Sequence, residues 1–387
     1  MAQPRLTLME MMRQLIGTPS ISSVSPEFDQ SNHEVIELMA NWLDELGFAV
    51  EVLPLAGQPD KANLIATLGT GPGGLVLAGH TDTVPYDEGQ WHNDPFRLTE
   101  ADNRLYGLGT SDMKGFFALA IEAARNRQAS ELQQPLIILA TADEESSMDG
   151  AKELVRLGRP RARYAVIGEP TGLRPVHMHK GILMEAIHVH GHAGHSSNPA
   201  LGANALEGMH KVLGDLLAWR DELHRQHSDR RFAVPVPTLN LGHIHGGDNP
   251  NRICGHCALH FDLRPLPGMD LDDLRHTVDH RLATLLADSP LRAERESLID
   301  GTPAMHTPVD SAIVQAAERL TGHTAEAVAF CTEGPYLNAL GMDSIILGPG
   351  DIAQAHQPDE YLSLDRIRPT LDLLTHLIDQ FCVRPRS

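Results

Sequence analysis

Five segments of the chain carry side chains able to hold cations or move protons: His80-Thr-Asp82, Asp112, Asp143-Glu144-Glu145, Glu169 and His356. Four of them follow short apolar runs. LVLAG leads into His80, IILATA into Asp143, YAVIG into Glu169, and IILG with a glycine loop into His356. Asp112 closes the segment from Gly107 and opens an apolar helical stretch, with Lys114 the only basic residue nearby. Runs of this kind read as strands buried on both faces, and an open α/β sheet binds ligands beyond the carboxyl ends of its strands. Taken singly, each segment has a plainer reading: a hydrogen-bonded surface pair, a solvated loop, a helix cap, a strand-end carboxylate. Gathered at one rim, two imidazoles and several carboxylates cannot stay ionised without a compensating cation. Imidazole with carboxylate suits zinc or a similar divalent ion. The carboxylates exceed what one tetrahedral ion uses, which favours two ions sharing a bridging carboxylate.

The elements that must position these groups are legible in the spacing of apolar residues. Residues 5–16, 31–46 and 113–126 have helical periodicity, the second ending at Gly47 as a C-cap. FAVEVLP, PLIILATADEE and ARYAVIGEP read as strands. NLIATLG and GGLVLAGH read as paired strands, with Gly69–Gly74 as their hairpin turn because that segment lacks the Lys-Ser/Thr of a phosphate loop. Near residue 180 the pattern changes to period two: Ile187 and Val189 fall on one face, His188, His190 and His192 on the other. A β-α-β-β-α-β order follows, with helices over 203–226 and 270–287. It predicts a four-stranded antiparallel sheet of ferredoxin-like type with helices on one face. Helix 310–321, strand 344–348 and helix 366–382 return to the first pattern. The expectation is therefore an α/β fold: a mostly parallel sheet with helices on both faces over 1–180 and 298–387, and an inserted α+β domain over 181–297.

Composition narrows the function classes. The 387 residues carry 31 − 51 = −20 formal charges, with 22 histidines counted as neutral. That balance excludes nucleic acid and anionic membrane as partners, both of which need clustered Lys and Arg. No apolar run reaches the ~20 residues that span a bilayer, and the first residues lack a signal-peptide core, so the expected location is the cytoplasm. Cys254, Cys257, Cys331 and Cys382 are too few for a disulfide framework, and the Cys254-x-x-Cys257 pair has no second pair to complete a zinc site. His188, His190 and His192 read as a solvated strand face. Ser196 and Ser197 lack a nucleophile elbow, which argues against a serine hydrolase.

The sequence resembles the M20 family of metallopeptidases and deacylases. The motifs that carry the resemblance are G-H-x-D-x-V-P (Gly79 to Pro85), G-x-x-D-x-K-G (Gly109 to Gly115), A-D-E-E with Gly150, G-E-P-T (Gly168 to Thr171), G-H-S-S-x-P (Gly194 to Pro199) and A-H-Q-P-D-E (Ala355 to Glu360), in family order. Segments such as YGLGTSDMKGFF and TLNLGHIHGGD are most similar to the branch that hydrolyses N-acetyl-L-ornithine to ornithine and acetate. Other N-acyl amino acids (acetylcitrulline, acetylmethionine, succinyl-diaminopimelate) are the alternative substrates, and an inactive metal-binding module is the remote one. The resemblance implies two zinc ions per subunit, with cobalt a substitute: His80, Asp112 and Glu169 hold one, and Asp112, Glu145 and His356 the other. It implies Glu144 as general base, Asp82 as the residue that orients His80, and a cis peptide at Asp112-Met113. His195 is implied as a histidine reaching the neighbouring subunit's site in a homodimer, Arg264 as the grip on the substrate carboxylate, and Asn251 as a nearby polar contact. Ile253-Cys254 departs from the family's usual Ile-Pro after that asparagine.

Overall fold

The computed structural model describes residues 6–383, and its contacts divide the chain into two units. The first runs to His177 and resumes at His306–Glu326 and from Thr332; the second comprises Met178–Met305 with Ala327–Cys331.

The first unit is built on a mixed sheet in which Ala49–Leu55, Gln58–Leu68, Leu136–Thr141, Leu75–His80, Tyr164–Pro170 and Asp343–Gly348 follow one another across the sheet. The last four of these run parallel, paired by Leu75↔Leu136, Leu75↔Tyr164 and Asp343↔Tyr164. Leu75–His80 and Leu136–Thr141 are buried at every position, which explains why their sequence shows no alternation. Helices Leu8–Gly17, His33–Glu45, Lys114–Ala124 and Ile367–Cys382 bury Leu15, Ile36, Met39, Phe116, Phe117, Leu374 and Leu377 in one core with these strands. The first helix begins where Thr7 and Glu10 cap each other's backbone, and the second stops before Gly47, whose φ of 85° a side chain would disfavour.

One pairing differs from the sequence expectation. Gln58–Leu68 and Leu75–His80 are not neighbours, because Leu136–Thr141 lies between them, antiparallel to the first and parallel to the second. Gly69–Gly74 is therefore a connection past an intervening strand, not a hairpin turn. Short-range turn chemistry favours a hairpin there, whereas burial on both faces rewards the parallel strand that arrives later in the chain.

A small sheet matters more for the site than its size suggests. Tyr361–Ser363 pairs with Arg104–Tyr106, which pairs with Thr99–Ala101. That ladder fixes Glu360 beside the 107–112 segment, where Gly107 N–H donates to the Glu360 carbonyl at 3.0 Å.

In the second unit four antiparallel strands lie in the order Thr238–Gly246, His256–Arg264, Leu183–His190, Arg292–Ser297, the expected ferredoxin-like order. Ile187, Val189, Leu259, Phe261 and Leu263 pack against Met209, Val212, Leu216 and Trp219 of helix Ala205–Gln226 and Val278 and Leu282 of helix Leu271–Leu285. Each helix starts at a side-chain cap, Asn204 on Leu206 N–H and Asp270 on the N–H groups of Asp272 and Asp273. The strand ends at His190, so His192 falls outside the alternation that His188 and His190 obey. Cys254 likewise lies ahead of its strand while Cys257 lies within it; both are buried, reduced thiols.

Among the described residues no helix is long and apolar enough to cross a membrane.

Candidate active site

The parallel strands end at one edge, and the candidate residues of the first unit sit there. His80 is the last residue of its strand, Glu169 the penultimate residue of the next, and Glu144 and Glu145 follow Leu136–Thr141 by three and four positions. Glu169 can reach this position because Gly168 precedes it: a Cβ on Gly168 would overlap the Phe116 ring. Asp112 stands just before helix Lys114–Ala124 and does not cap it; Met113 occupies the cap position without a side-chain bond. The Asp112-Met113 peptide is cis, as the resemblance implied.

Asp112 is the geometric centre of the group. Its Oδ1 lies 3.2 Å from His80 Nε2 and its Oδ2 3.6 Å from His356 Nε2, so one carboxylate turns an oxygen toward each histidine. Glu169 Oε1 is 3.7 Å from His80 Nε2, and both Glu145 oxygens are 3.0 Å from His356 Nε2. His80 and Asp112 are buried, whereas the His356 side chain is 54% exposed and marks the open side.

Asp82 holds two parts of the rim together. Its Oδ1 and Oδ2 accept the N–H groups of Glu144 (3.2 Å) and Glu145 (3.0 Å). The hydrogen bond from His80 Nδ1 goes to the Asp82 backbone carbonyl at 2.9 Å, with the carboxylate 3.6 Å away. His80 Nδ1 thus meets the Asp82 main chain, while the Asp82 carboxylate is engaged by the Glu144-Glu145 turn. With Nδ1 donating, a neutral His80 ring would present its Nε2 lone pair to the crevice.

Three residues have supporting roles that the sequence alone does not show. The buried Glu360 carboxylate accepts N–H groups from Gly109 (3.0 Å), Ser111 (2.7 Å) and Asp112 (2.9 Å), clamping the segment that presents Asp112. Lys61 Nζ lies 2.7 Å from both Asp29 Oδ1 and Asp143 Oδ1, an ion pair that pins the residue preceding Glu144. Lys114 is fully buried and donates to the Thr18 carbonyl (2.8 Å) and Ser20 Oγ (3.3 Å), so it acts in the scaffold. Glu360 and Lys114 lie inside motifs already visible in the sequence; nothing near Lys61 signalled its role.

The electrostatics are those of a crowded anionic crevice. Burial, then the Glu169 charge, pushes the Glu144 carboxyl far above the usual range. Burial and then Asp112 push Glu169 well above it too, and raise Glu145. Burial pulls His80 down, but its hydrogen bonds to Asp112 and Asp82 outweigh this and raise it well above an ordinary imidazole. The hydrogen bond to Glu145 raises His356 to about 9. Burial raises Glu360 to about 8, with the Asp112 charge adding to it and three N–H donors opposing it.

Such shifts mean that the crevice takes up protons to offset its negative charge, and a divalent cation offsets the same charge more fully. The donor set fits one. His80, Asp112 and Glu145 have ligand atoms all within 4.8 Å of one another, and so do His80, Glu144 and Glu169. These groupings divide the residues differently from the sets the resemblance implied and bring Glu144 within ligand range of His80 and Glu169.

The remaining candidates belong to the second unit. His195 is exposed, and its Nδ1 accepts from Ser197 N–H (3.2 Å) and lies 2.8 Å from Ser197 Oγ. A neutral ring accepting an N–H at Nδ1 carries its proton on Nε2. Arg264, at the end of its strand, donates from Nε to Asp262 Oδ2 at 3.0 Å. Asn251 is exposed, with its N–H on Asn249 Oδ1 at 3.2 Å and its carbonyl accepting Ser196 N–H.

Known proteins resemble this chain in sequence and in fold. The sequence is 50% identical over 376 residues to acetylornithine deacetylase of Pasteurella multocida, covering 97% of this chain and 98% of that one. It is 52% identical over 372 residues to acetylornithine deacetylase of Edwardsiella ictaluri, covering 96% and 97%. The fold is similar to an M20 family metallo-carboxypeptidase from Sulfolobus solfataricus, with TM-score 0.74 and 17% identity over 98% of this chain and 99% of that one. It is also similar to a dinuclear metal-binding peptidase of the M20 family from Bacillus subtilis, with TM-score 0.65 and 15% identity over 96% and 97%. Residues 76–380 match the description Peptidase family M20/M25/M40, and the chain belongs to that family.

Proposed function

We propose that the chain is a metal-dependent amidohydrolase that converts N-acetyl-L-ornithine and water into L-ornithine and acetate. The observation that carries the reaction class is the Asp112 carboxylate, which turns one oxygen toward His80 and the other toward His356. The substrate comes from relatives about half identical over nearly the whole chain. His80, Asp112 and Glu169 would hold one divalent ion and Asp112, Glu145 and His356 a second, zinc by donor type with cobalt a substitute. When bound, the pair supplies Lewis acidity and a water acidic enough to react at neutral pH.

Glu144 takes the proton of the attacking water. Its raised proton affinity, set by burial and by Glu169, suits a base that must then deliver that proton. The new bond joins the water oxygen to the acetyl carbon, the amide C–N bond breaks, and the proton passes from Glu144 to the departing amine of ornithine. Asp82 keeps Glu144 and Glu145 in register through their N–H groups. His195, with its proton on Nε2, has the donor needed to steady the oxyanion, and we assign it to the partner subunit's site in a homodimer. Arg264 grips the substrate carboxylate through its planar fork, with Asn251 as a further polar contact. The site-bearing domain is 1–180 with 298–387, the inserted domain 181–297 serves as dimerisation element and lid, and the enzyme works in the cytoplasm in arginine biosynthesis.

The test is kcat/KM for N-acetyl-L-ornithine beside acetylcitrulline, acetylmethionine and succinyl-diaminopimelate. N-acetyl-L-ornithine should lead. A rival at least tenfold better would keep the reaction class and overturn the substrate.

A further inference from the structure

The helix-free face of the second unit's sheet collects imidazoles. Strand alternation sends Ile187, Val189, Cys257 and Leu259 toward the helices, and His188, His190, His256 and His260 to the other side. His243 joins them, paired across the ladder with His260 beyond an irregularity between Leu241 and His243.

Three of these rings form a compact stack. His256 is the direct cross-strand partner of His190, with ring centroids 5.0 Å apart, and the His188 and His256 rings stack at 5.5 Å and 18°. His188 Nδ1 lies 3.3 Å from His256 Nε2. Two nitrogens bound to one zinc at ~2.05 Å in tetrahedral geometry lie ~3.3 Å apart, so this pair already has the spacing of two ligands.

The outer nitrogens are occupied in the way metal-binding histidines require. His188 Nε2 is 3.0 Å from Glu296 Oε2, and His190 Nε2 is 3.0 Å from Glu294 Oε1. A carboxylate accepting the proton of one ring nitrogen fixes the tautomer and leaves the other nitrogen's lone pair exposed. None of these residues has a part in the proposed hydrolysis.

We propose that His188 Nδ1 and His256 Nε2, with His190 as a third imidazole after rotation of its half-exposed side chain, form a second and separate site for a zinc-class divalent ion. Glu296 and Glu294 orient the rings, and water completes the coordination. The ligands come from two strands and the orienting carboxylates from a third, so the ion ties Leu183–His190 to both of its neighbours.

The experiment titrates Zn2+ by calorimetry into enzyme whose catalytic centre has first been filled. One further ion per chain should bind. H188A and H256A should each weaken that step at least tenfold, E296A by about tenfold, and all three should keep wild-type turnover. H243A should leave the step intact. No further ion in the wild type, unchanged uptake in H188A and H256A, or loss in H243A alone would overturn the assignment. Unfolding midpoints measured in chelator show whether a histidine variant has lost its fold; if one has, E296A decides the matter.

Discussion

At the strand ends of the first unit, the His80 side chain is 1% exposed beside Asp112 and Glu169, each 8% exposed. On the sheet face of the second unit, the His190 side chain is 45% exposed beside Glu294 at 70%. Both regions pair imidazole with carboxylate at about the same distances, yet they differ in what surrounds the pair. At the rim, burial concentrates Asp82, Asp112, Glu144, Glu145 and Glu169 around two histidines, and every charge is felt by the rest. On the open face each Glu–His pair stands in water, where such a pair contributes little. On the two proposals above, the same side-chain chemistry serves catalysis where the backbone excludes water and gives a weaker, oriented ligand set where it does not.

The largest expected effect is at the rim. E144A should reduce kcat by about 10³-fold, within the range for loss of a general base, while leaving bound metal unchanged. Retained turnover would remove Glu144 from the role of base, and loss of metal would instead make it a ligand, as its proximity to His80 and Glu169 allows. Next comes E360A, which removes the acceptor of three N–H groups behind Asp112. Metal affinity should fall roughly 10- to 100-fold, as for other residues that orient ligands; equilibrium dialysis against zinc reads it directly, and an unchanged affinity would reduce Glu360 to packing.

A smaller effect concerns Lys114, whose pKa burial lowers to about 7. Its folded pKa lies below the unfolded value near 10.4, so between those values the unfolded chain binds the extra proton and stability rises with pH. In metal-free protein, the unfolding free energy of the wild type should climb relative to K114M from pH 7 to pH 10. Parallel profiles would mean that Lys114 is charged throughout. The smallest effect belongs to the open face: without added zinc, H188A should change stability by no more than about 0.5 kcal/mol, as for surface substitutions generally. A larger loss would mean that the stacked rings already support the sheet unaided.

Much of the fold was legible because apolar runs such as LVLAG and LIILAT have one reading when buried on both faces. The positions of His80, Glu145, Glu169 and His356 followed from their places after those runs. The order of strands did not, since Leu136–Thr141 enters between two strands that are consecutive in sequence. Glu360 and Lys61 were missed for a related reason. Their roles arise from backbone donors at Gly109–Asp112 and from a carboxylate at Asp143, partners tens to hundreds of residues away that no local pattern announces. His188 and His190 were read as solvated, correctly for the strand alone, but His256 and Glu296 come from neighbouring strands and change what the face can do.

The most direct test of the account strips the enzyme of metal, returns zinc in steps, and follows hydrolysis of N-acetyl-L-ornithine against ions bound per chain. The account predicts no turnover in stripped protein, with activity restored as the catalytic centre fills and abolished in D112A at any zinc level. Turnover in the fully stripped protein, or an active D112A enzyme, would contradict it.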